Sequence, residues 1–405
     1  MSRVRHISDN ERRARVVQRH HLALRRRGNR PIEVARDLVG LHASDPASVF
    51  LAIAARTKDA DIATIESILY DDHELVRVLC MRRTVFTVPL DLLPIVHASC
   101  AIALVLGERR RFVQMVEQGG VATDGARWLR STEAATVKAL DARGEAFATD
   151  LTKDVPALRE QISFGDGSKK WHGKQGVSTR VLWTLASEGR IVRGRPRGGW
   201  TSSQHQWAPM QKWLPGGIEP MVPEAARAEL VRRWLCSYGP GTTLDLRWWT
   251  GWTAAHVAKA LAQVGAVEVE LDGGVTGWLL PDDLEPAPKI TAAAALLPAL
   301  DPTAMGWTGR TWYLGDHRAP LFDRNGNVGP TVWWQGRIVG GWAQRPDGDV
   351  VLRLLEDIGS AGTKAVEREA ARLTAWIGPA RVKPRFRTPL ETELSRSPLS
   401  RLWEG

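Results

Sequence analysis

Leu75-Val76-Arg77-Val78-Leu79-Cys80-Met81-Arg82-Arg83-Thr84-Val85-Phe86-Thr87-Val88-Pro89 is the stretch on which the fold reading turns. Apolar side chains alternate at Val76, Val78 and Cys80, and a β-branched and aromatic run, Val85 to Val88, stops at Pro89. That pattern reads as extended chain. Upstream the signals are helical. Ser8-Asp9-Asn10-Glu11 has capping-box spacing and opens a helix over about 9–27. A second helix, Pro31 to Leu41, buries Val34, Leu38 and Leu41, and Asp45-Pro46 opens a third with an N-cap and a first-turn proline. A fourth covers about 61–70. Helices followed by a strand pair make a winged-helix pattern, with His42-Ala43-Ser44 at a tight corner between two helices. A helical stretch from Leu90 to Glu117, then Gly119-Gly120, closes the module.

The order then recurs twice without close sequence identity. Helices are expected at Ser131–Asp141, Thr149–Gln161 and Val177–Glu188, followed by a hairpin over 191–201 whose Pro and Gly residues mark the turn. Past Pro215-Gly216-Gly217, helices at Pro223–Cys236, Thr243–Trp249 and Thr253–Val264 precede strands at Ala266–Leu271 and Val275–Leu280 around Asp272-Gly273-Gly274. From Ile290 the texture changes to short apolar runs broken by Gly, Pro and Asp, with Gln335-Gly336 as a two-residue hairpin turn and an amphipathic helix at Ser360–Ile377. The expected architecture is α+β: winged-helix modules at 1–125, 126–215 and 216–285, then a small β-rich, barrel-like domain at 286–405.

Composition bounds the function. The 405 residues are 43% hydrophobic and 25% charged, which excludes disorder, and the net charge of +10 favours a polyanionic partner. Cys80, Cys100 and Cys236 are too far apart for a zinc site or a disulfide framework. No apolar run is long enough to span a bilayer, so a cytoplasmic protein is expected; the chain is further expected to act as a monomer, without cofactor or metal. Tryptophan is unusually abundant, with 18 Trp against 7 Phe and 3 Tyr. Most should be packed, with Trp171 and Trp200 as possible base-stacking residues.

Basic residues gather in two places. Residues 1–36 hold eleven Arg, a helix face that is either solvated or in contact with phosphates. Between Lys169 and Trp213 there are nine Lys or Arg against one acid, Glu188. Lys169, Lys170, Lys174, Arg180, Arg193, Arg195 and Arg197 are therefore the candidate contacts to a nucleic acid, with phosphate neutralisation supplying salt-dependent affinity.

Several stretches resemble one family, the winged-helix proteins that include the AlkZ-like and YcaQ-like DNA glycosylases, which unhook interstrand crosslinks and excise bulky guanine adducts. They are Leu38-Val39-Gly40-Leu41-His42-Ala43-Ser44-Asp45-Pro46, Leu75-Val76-Arg77, Met81-Arg82-Arg83-Thr84, Tyr238-Gly239-Pro240-Gly241-Thr242-Thr243 leading into Trp248-Trp249-Thr250-Gly251, Leu296-Leu297-Pro298-Ala299-Leu300-Asp301-Pro302, and Gly336-Arg337-Ile338-Val339-Gly340. The resemblance spans nearly the whole chain. It implies three winged-helix units curving around a damaged duplex, and a catalytic pair two residues apart, usually two Gln or a Gln and an Asp, that acts on the sugar and the attacking water. Those positions are His42 and Ser44 here, a departure at both.

An N7-alkylated guanine already carries positive charge and leaves without a general acid, so the enzyme's task is to stabilise an oxocarbenium-like sugar and hold a water. Neutral His42 offers one acceptor nitrogen for that water. Ser44 is a shorter-reaching partner. Asp45 is the nearest carboxylate, although its place before Pro46 also suits an N-cap. In the plainer reading these residues only satisfy backbone groups at a helix corner. Two further function classes stay open: a non-catalytic winged-helix protein that recognises, protects or regulates DNA, and a protein-interaction scaffold.

Overall fold

In the computed structural model, residues 4–28, 30–164, 173–290 and 292–396 are described. The chain begins with β1 (His6–Ile7) and α1 (Asp9–Arg19), the latter capped by the Ser8 hydroxyl, which accepts from the Glu11 amide. It stops well short of residue 27. His20 is fully buried, its ring 2.9 Å from Thr303 Oγ1 and edge-on to Tyr238, and the backbone turns at His21 with φ of 55°. Tertiary packing of one histidine thus ends a helix that local propensity alone would continue.

The next elements are α2 (Pro31–Asp37), β2 (Leu41–His42), α3 (Pro46–Ala54), α4 (Ile62–Tyr70), β3 (Leu75–Leu79) and β4 (Val85–Pro89). The extended reading of 75–89 holds. The expected helix corner at 42–44 is instead entered by a strand, because Leu41 and His42 pair antiparallel with Thr87 and Phe86 and complete a sheet of order β2-β4-β3. The linking backbone needs hydrogen-bond partners, and the hairpin's open edge supplies them. Val39 and Gly40 make the bend, with φ of 51° and 93°; a Cβ on Gly40 would lie 3.0 Å from Val88 Cγ1, so only glycine fits.

After α5 (Leu93–Val96) and a π turn, α6 (Ile102–Gln118) leads to α7 (Gly125–Arg143), α8 (Ala148–Asp154), the hairpin β5 (Gln161–Phe164) with β6 (Gly173–Gly176), α9 (Ser178–Ser187), and the hairpin β7 (Ile191–Pro196) with β8 (His205–Pro209). Ala146 exchanges backbone hydrogen bonds with Trp207, the counterpart of β2. The helix expected over 149–161 breaks before Pro156, which has no amide to donate, and the chain goes on to β5, a strand the sequence reading missed. A short α10 (Met210–Trp213) precedes α11 (Pro223–Tyr238), α12 (Thr243–Thr250), α13 (Ala254–Gln263), β9 (Val267–Leu271) and β10 (Val275–Leu279).

β1 lies parallel to β9, so residues near the start of the chain close the third sheet in the order β1-β9-β10. The arginines of α1 follow the same route. Arg15 and Arg19 both pair with Asp283, Arg13 Nε donates to the Trp312 carbonyl, and Arg12 lies 4.1 Å from the Trp312 ring centre. Within α1 these arginines therefore act as internal ties, whereas Arg25, Arg30 and Arg36 further along remain exposed.

The rest comprises β11 (Ala294–Leu297), α14 (Thr311–Leu314), α15 (Arg318–Leu321), β12 (Thr331–Trp334), β13 (Arg337–Gln344), β14 (Val350–Leu354), α16 (Gly359–Ile377) and α17 (Pro389–Leu394). Its four strands form one antiparallel sheet, β11-β12-β13-β14, whose edge strands do not meet. The barrel-like expectation is corrected to an open sheet packed against α16 and α17, because helices bury the faces that a closed barrel would bury against itself. The architecture is mixed α+β with several small sheets. One hydrophobic cluster runs from α2–α4 through α11–α13 to this sheet, and a second holds α6 to α9.

Candidate active site and nucleic-acid interface

β2 delivers His42 to the interior, where the residue is 4% exposed and its ring lies 4.2 Å from that of Phe86, its partner across the sheet. Nε2 faces Arg82 Nη2 at 3.4 Å, and Nδ1 is buried without a hydrogen-bond partner among the described residues. Arginine can only donate, so Nε2 is the acceptor and Nδ1 carries the proton. Burial, reinforced by the Arg82 charge, pushes the imidazole down to about 3. His42 is neutral at physiological pH, with its acceptor nitrogen turned to a cation.

Ser44 is partly exposed, and its carbonyl accepts from Arg385 Nη1 at 3.3 Å. Asp45 is buried, with both carboxylate oxygens engaged: Oδ1 accepts from the Ala47 amide at 3.1 Å as the N-cap of α3, and Oδ2 from the Arg385 amide at 2.9 Å. Burial raises its pKa, against the pull of those two amides. The gap beside it is about 10 Å³, one water at most.

The roomy space lies on the other side of Arg82. A cleft of about 330 Å³ opens where the β3–β4 turn meets α12 and residues 305–327. Arg82 and Arg83 take φ of 52° and 61° in that turn, a left-handed bend that sends the Arg82 guanidinium onto Trp248, 3.9 Å from its ring centre. Arg310 lies 4.8 Å from the same ring. In the sequence Met81-Arg82-Arg83-Thr84 and Trp248 are matched only by family resemblance, and Arg310 and Arg318 carry no motif at all. Residues more than two hundred positions apart carry no local signal of their convergence.

The described basic residues expected to contact DNA differ in exposure and partners. Lys169 and Lys170 lie outside the described residues, as does Trp171. Lys174 on β6 is exposed, and Arg180 on α9 is partly buried with Nε 3.4 Å from Gln175 Oε1. On β7, Arg193 packs over Trp207 at 4.9 Å and is pulled down to about 10 by burial and by the nearby Arg77. Arg195 pairs with Glu66 and Asp71, each at 2.8 Å. Arg197, at the hairpin turn, is exposed and lies 4.1 Å from the Phe147 ring centre. Trp200 is packed between Phe50 and Trp376, a core contact rather than a stacking platform. Among the described residues, no three His, Cys, Asp or Glu side chains converge as a metal site, and no helix is long and apolar enough to cross a membrane.

A buried histidine at a sheet edge beside an arginine-lined cleft is an arrangement suited to a polyanionic ligand. The family described as DNA glycosylase AlkZ-like has a model that matches residues 35–376, and the chain belongs to that family. Among solved structures it is similar to the Streptomyces sahachiroi DNA glycosylase AlkZ, at 21% identity and a TM-score of 0.69, over 93% of this chain and 98% of that one. That similarity establishes a shared fold. No curated protein matches the chain.

Proposed function

We propose that the protein is a DNA glycosylase that hydrolyses the N-glycosidic bond of alkylated or bulky-adduct purines of the N7-alkylguanine or crosslink type. The family match over 35–376 carries this reading, since it spans the corner at 42–45, the repeats and the C-terminal sheet. We read the repeats at 31–89, 125–209 and 223–279 as winged-helix units that hold damaged double-stranded DNA, with the protein acting as a monomer in the cytoplasm and needing no metal or cofactor.

A cationic base needs no proton to leave. Catalysis then consists of stabilising positive charge on the sugar and orienting a water. His42 is the proposed centre of that work. With Arg82 in place its imidazole orients the guanidinium, and holding the water itself requires Arg82 to withdraw from Nε2. Ser44 is its partly exposed neighbour. Asp45, with both oxygens engaged, acts as a cap and an anchor for the 385 segment.

The test is base release from duplexes carrying N7-alkylguanine or a crosslink. Wild type is expected to release the modified base, and His42→Ala to lower the rate by at least about tenfold with DNA affinity nearly unchanged. Equal rates for the two proteins would remove His42 from the mechanism. One observation favours a second reading, DNA recognition without cleavage: the acceptor nitrogen of His42 is occupied and both oxygens of Asp45 are engaged. Tight, lesion-selective binding with no base release across a panel of lesions would establish it.

A further inference from the structure

We infer that the cleft between the β3–β4 turn, α12 and residues 305–327 is a phosphate subsite that holds a backbone phosphodiester of the DNA strand. The inference rests on the glycosylase reading for the identity of the strand, but not for the chemistry of the cleft. Arg82, Arg310 and Arg318 line it together with Asn325, Asn327 and Trp248, and no carboxylate is among the described residues lining it. Two carboxylates close by are engaged: Asp245 accepts from the Thr308 and Gly309 amides through Oδ1 and from Thr242 through Oδ2, and Asp323 accepts from the Asn325 and Asn327 amides and from Asn327 Nδ2.

One donor each of Arg82 and Arg310 is left unmet. Nε of Arg82 and Nε of Arg310 are buried and make no hydrogen bond with any described residue. Two guanidiniums stacked on one tryptophan repel each other, and burial together with the Arg310 charge pulls Arg82 down to about 10. Buried charge with unpaired donors is unfavourable unless an anion completes it. A phosphodiester supplies one negative charge and acceptor oxygens suited to forked guanidinium donors. The same field excludes the alternative occupants of a glycosylase site. An oxocarbenium sugar or a cationic alkylated base is repelled by three arginines, so the reacting nucleotide sits outside this cleft while a neighbouring phosphate sits in it. Through Arg82, that phosphate is one residue away from His42. A volume of about 330 Å³ fits a phosphodiester with part of its sugar better than a lone ion.

The test is fluorescence anisotropy with a duplex containing a tetrahydrofuran abasic-site analogue, read over about 50 to 200 mM salt. Arg318→Gln, an exposed rim position that does not threaten the fold, and Arg318→Gln combined with Arg310→Gln are compared with wild type. Losing the one phosphate contact is expected to make the slope of log Kd against log salt shallower by about 0.9 in the double variant and by a smaller part of that in Arg318→Gln, uniformly across sequences, while Arg310→Lys keeps the wild-type slope. Identical slopes for wild type and Arg318→Gln would overturn the subsite, whether or not the double variant folds. Inorganic pyrophosphate is the second probe: if it stabilises wild type against heat but not Arg318→Gln, while the DNA slopes stay equal, the cleft is a free-anion site and the DNA assignment falls. Base release decides separately. Release with unchanged slopes keeps the glycosylase reading and removes the subsite, and changed slopes without release do the reverse.

Discussion

Arg82 Nη2 donates toward His42 Nε2 across 3.4 Å, joining the strand at the 42–45 corner to the wall of the arginine-lined cleft. The two residues belong to the same sheet system, one on β2 and the other in the β3–β4 turn. Neither position alone suggests the contact. Because the imidazole lies between Phe86 and this cation, its protonation state is set by burial first and by Arg82 second.

That order has a consequence for pH. The folded pKa of about 3 lies below the ordinary value of 6.5, so between those limits the unfolded chain binds a proton that the folded chain refuses. Stability contributed by neutral His42 is complete above 6.5 and falls as pH drops toward 3, by up to about 1.4 kcal/mol per pH unit. His42→Gln is expected to lose less stability than wild type between pH 7 and pH 5 in urea denaturation. An identical loss would mean that His42 titrates normally. In Arg82→Met, NMR titration should show the His42 pKa moved up yet still below 6.5, because burial remains.

Asp45 is expected to behave as structure. Asp45→Ala removes the α3 cap and the acceptor for the Arg385 amide, lowering stability by about 1–2 kcal/mol. Asp45→Asn keeps one acceptor and should retain base release. A Tm series with parallel base-release assays checks both, and loss of release in a fully folded Asp45→Asn would restore the carboxylate to the chemistry.

Arg56 and Asp301 form a bidentate ion pair at 2.9 and 2.7 Å with neither side chain exposed, linking α3 to the start of the C-terminal region. Thr303 Oγ1 and the His20 and Ala52 carbonyls accept the remaining Arg56 donors. Asp301→Ala leaves a buried cation unpaired and should lower stability by about 3–5 kcal/mol in urea denaturation, whereas Arg56→Met with Asp301→Leu should lose less than Asp301→Ala alone. A double variant no better than the single one would show that the surrounding polar groups, and not the unpaired charge, dominate.

The β7–β8 hairpin separates arginines that look alike in sequence. Arg195 is neutralised by Glu66 and Asp71, whereas Arg197 faces solvent. Arg195→Gln is expected to leave the salt slope of DNA binding unchanged, and Arg197→Gln to make it shallower by about 0.9. The opposite ranking, measured by anisotropy, would mean that Arg195 leaves its carboxylates for a phosphate.

Local patterns carried much of the fold. Alternation over 75–89, the Asp45-Pro46 helix start, the Asp272-Gly273-Gly274 turn and the Gln335-Gly336 hairpin are each fixed by backbone preferences within a few residues, so they were legible in the sequence. The corner at His42 was legible as a position because motif order placed it there. What side chains do once folded was not. Near the N-terminus Arg12, Arg15, Arg19 and Arg27 became ties to Trp312, Asp283 and Glu369, and the basic hairpin lost Arg195 to Glu66 of α4 and to Asp71 just after it. Sequence by itself determined most helix starts, the main hairpin turns and that the chain is basic, because those properties are local or additive. Only the tertiary structure decided which charges are neutralised, which nitrogen of His42 is occupied, and where Arg82, Arg310 and Arg318 converge, because charge pairing and burial depend on distances between residues far apart in the chain.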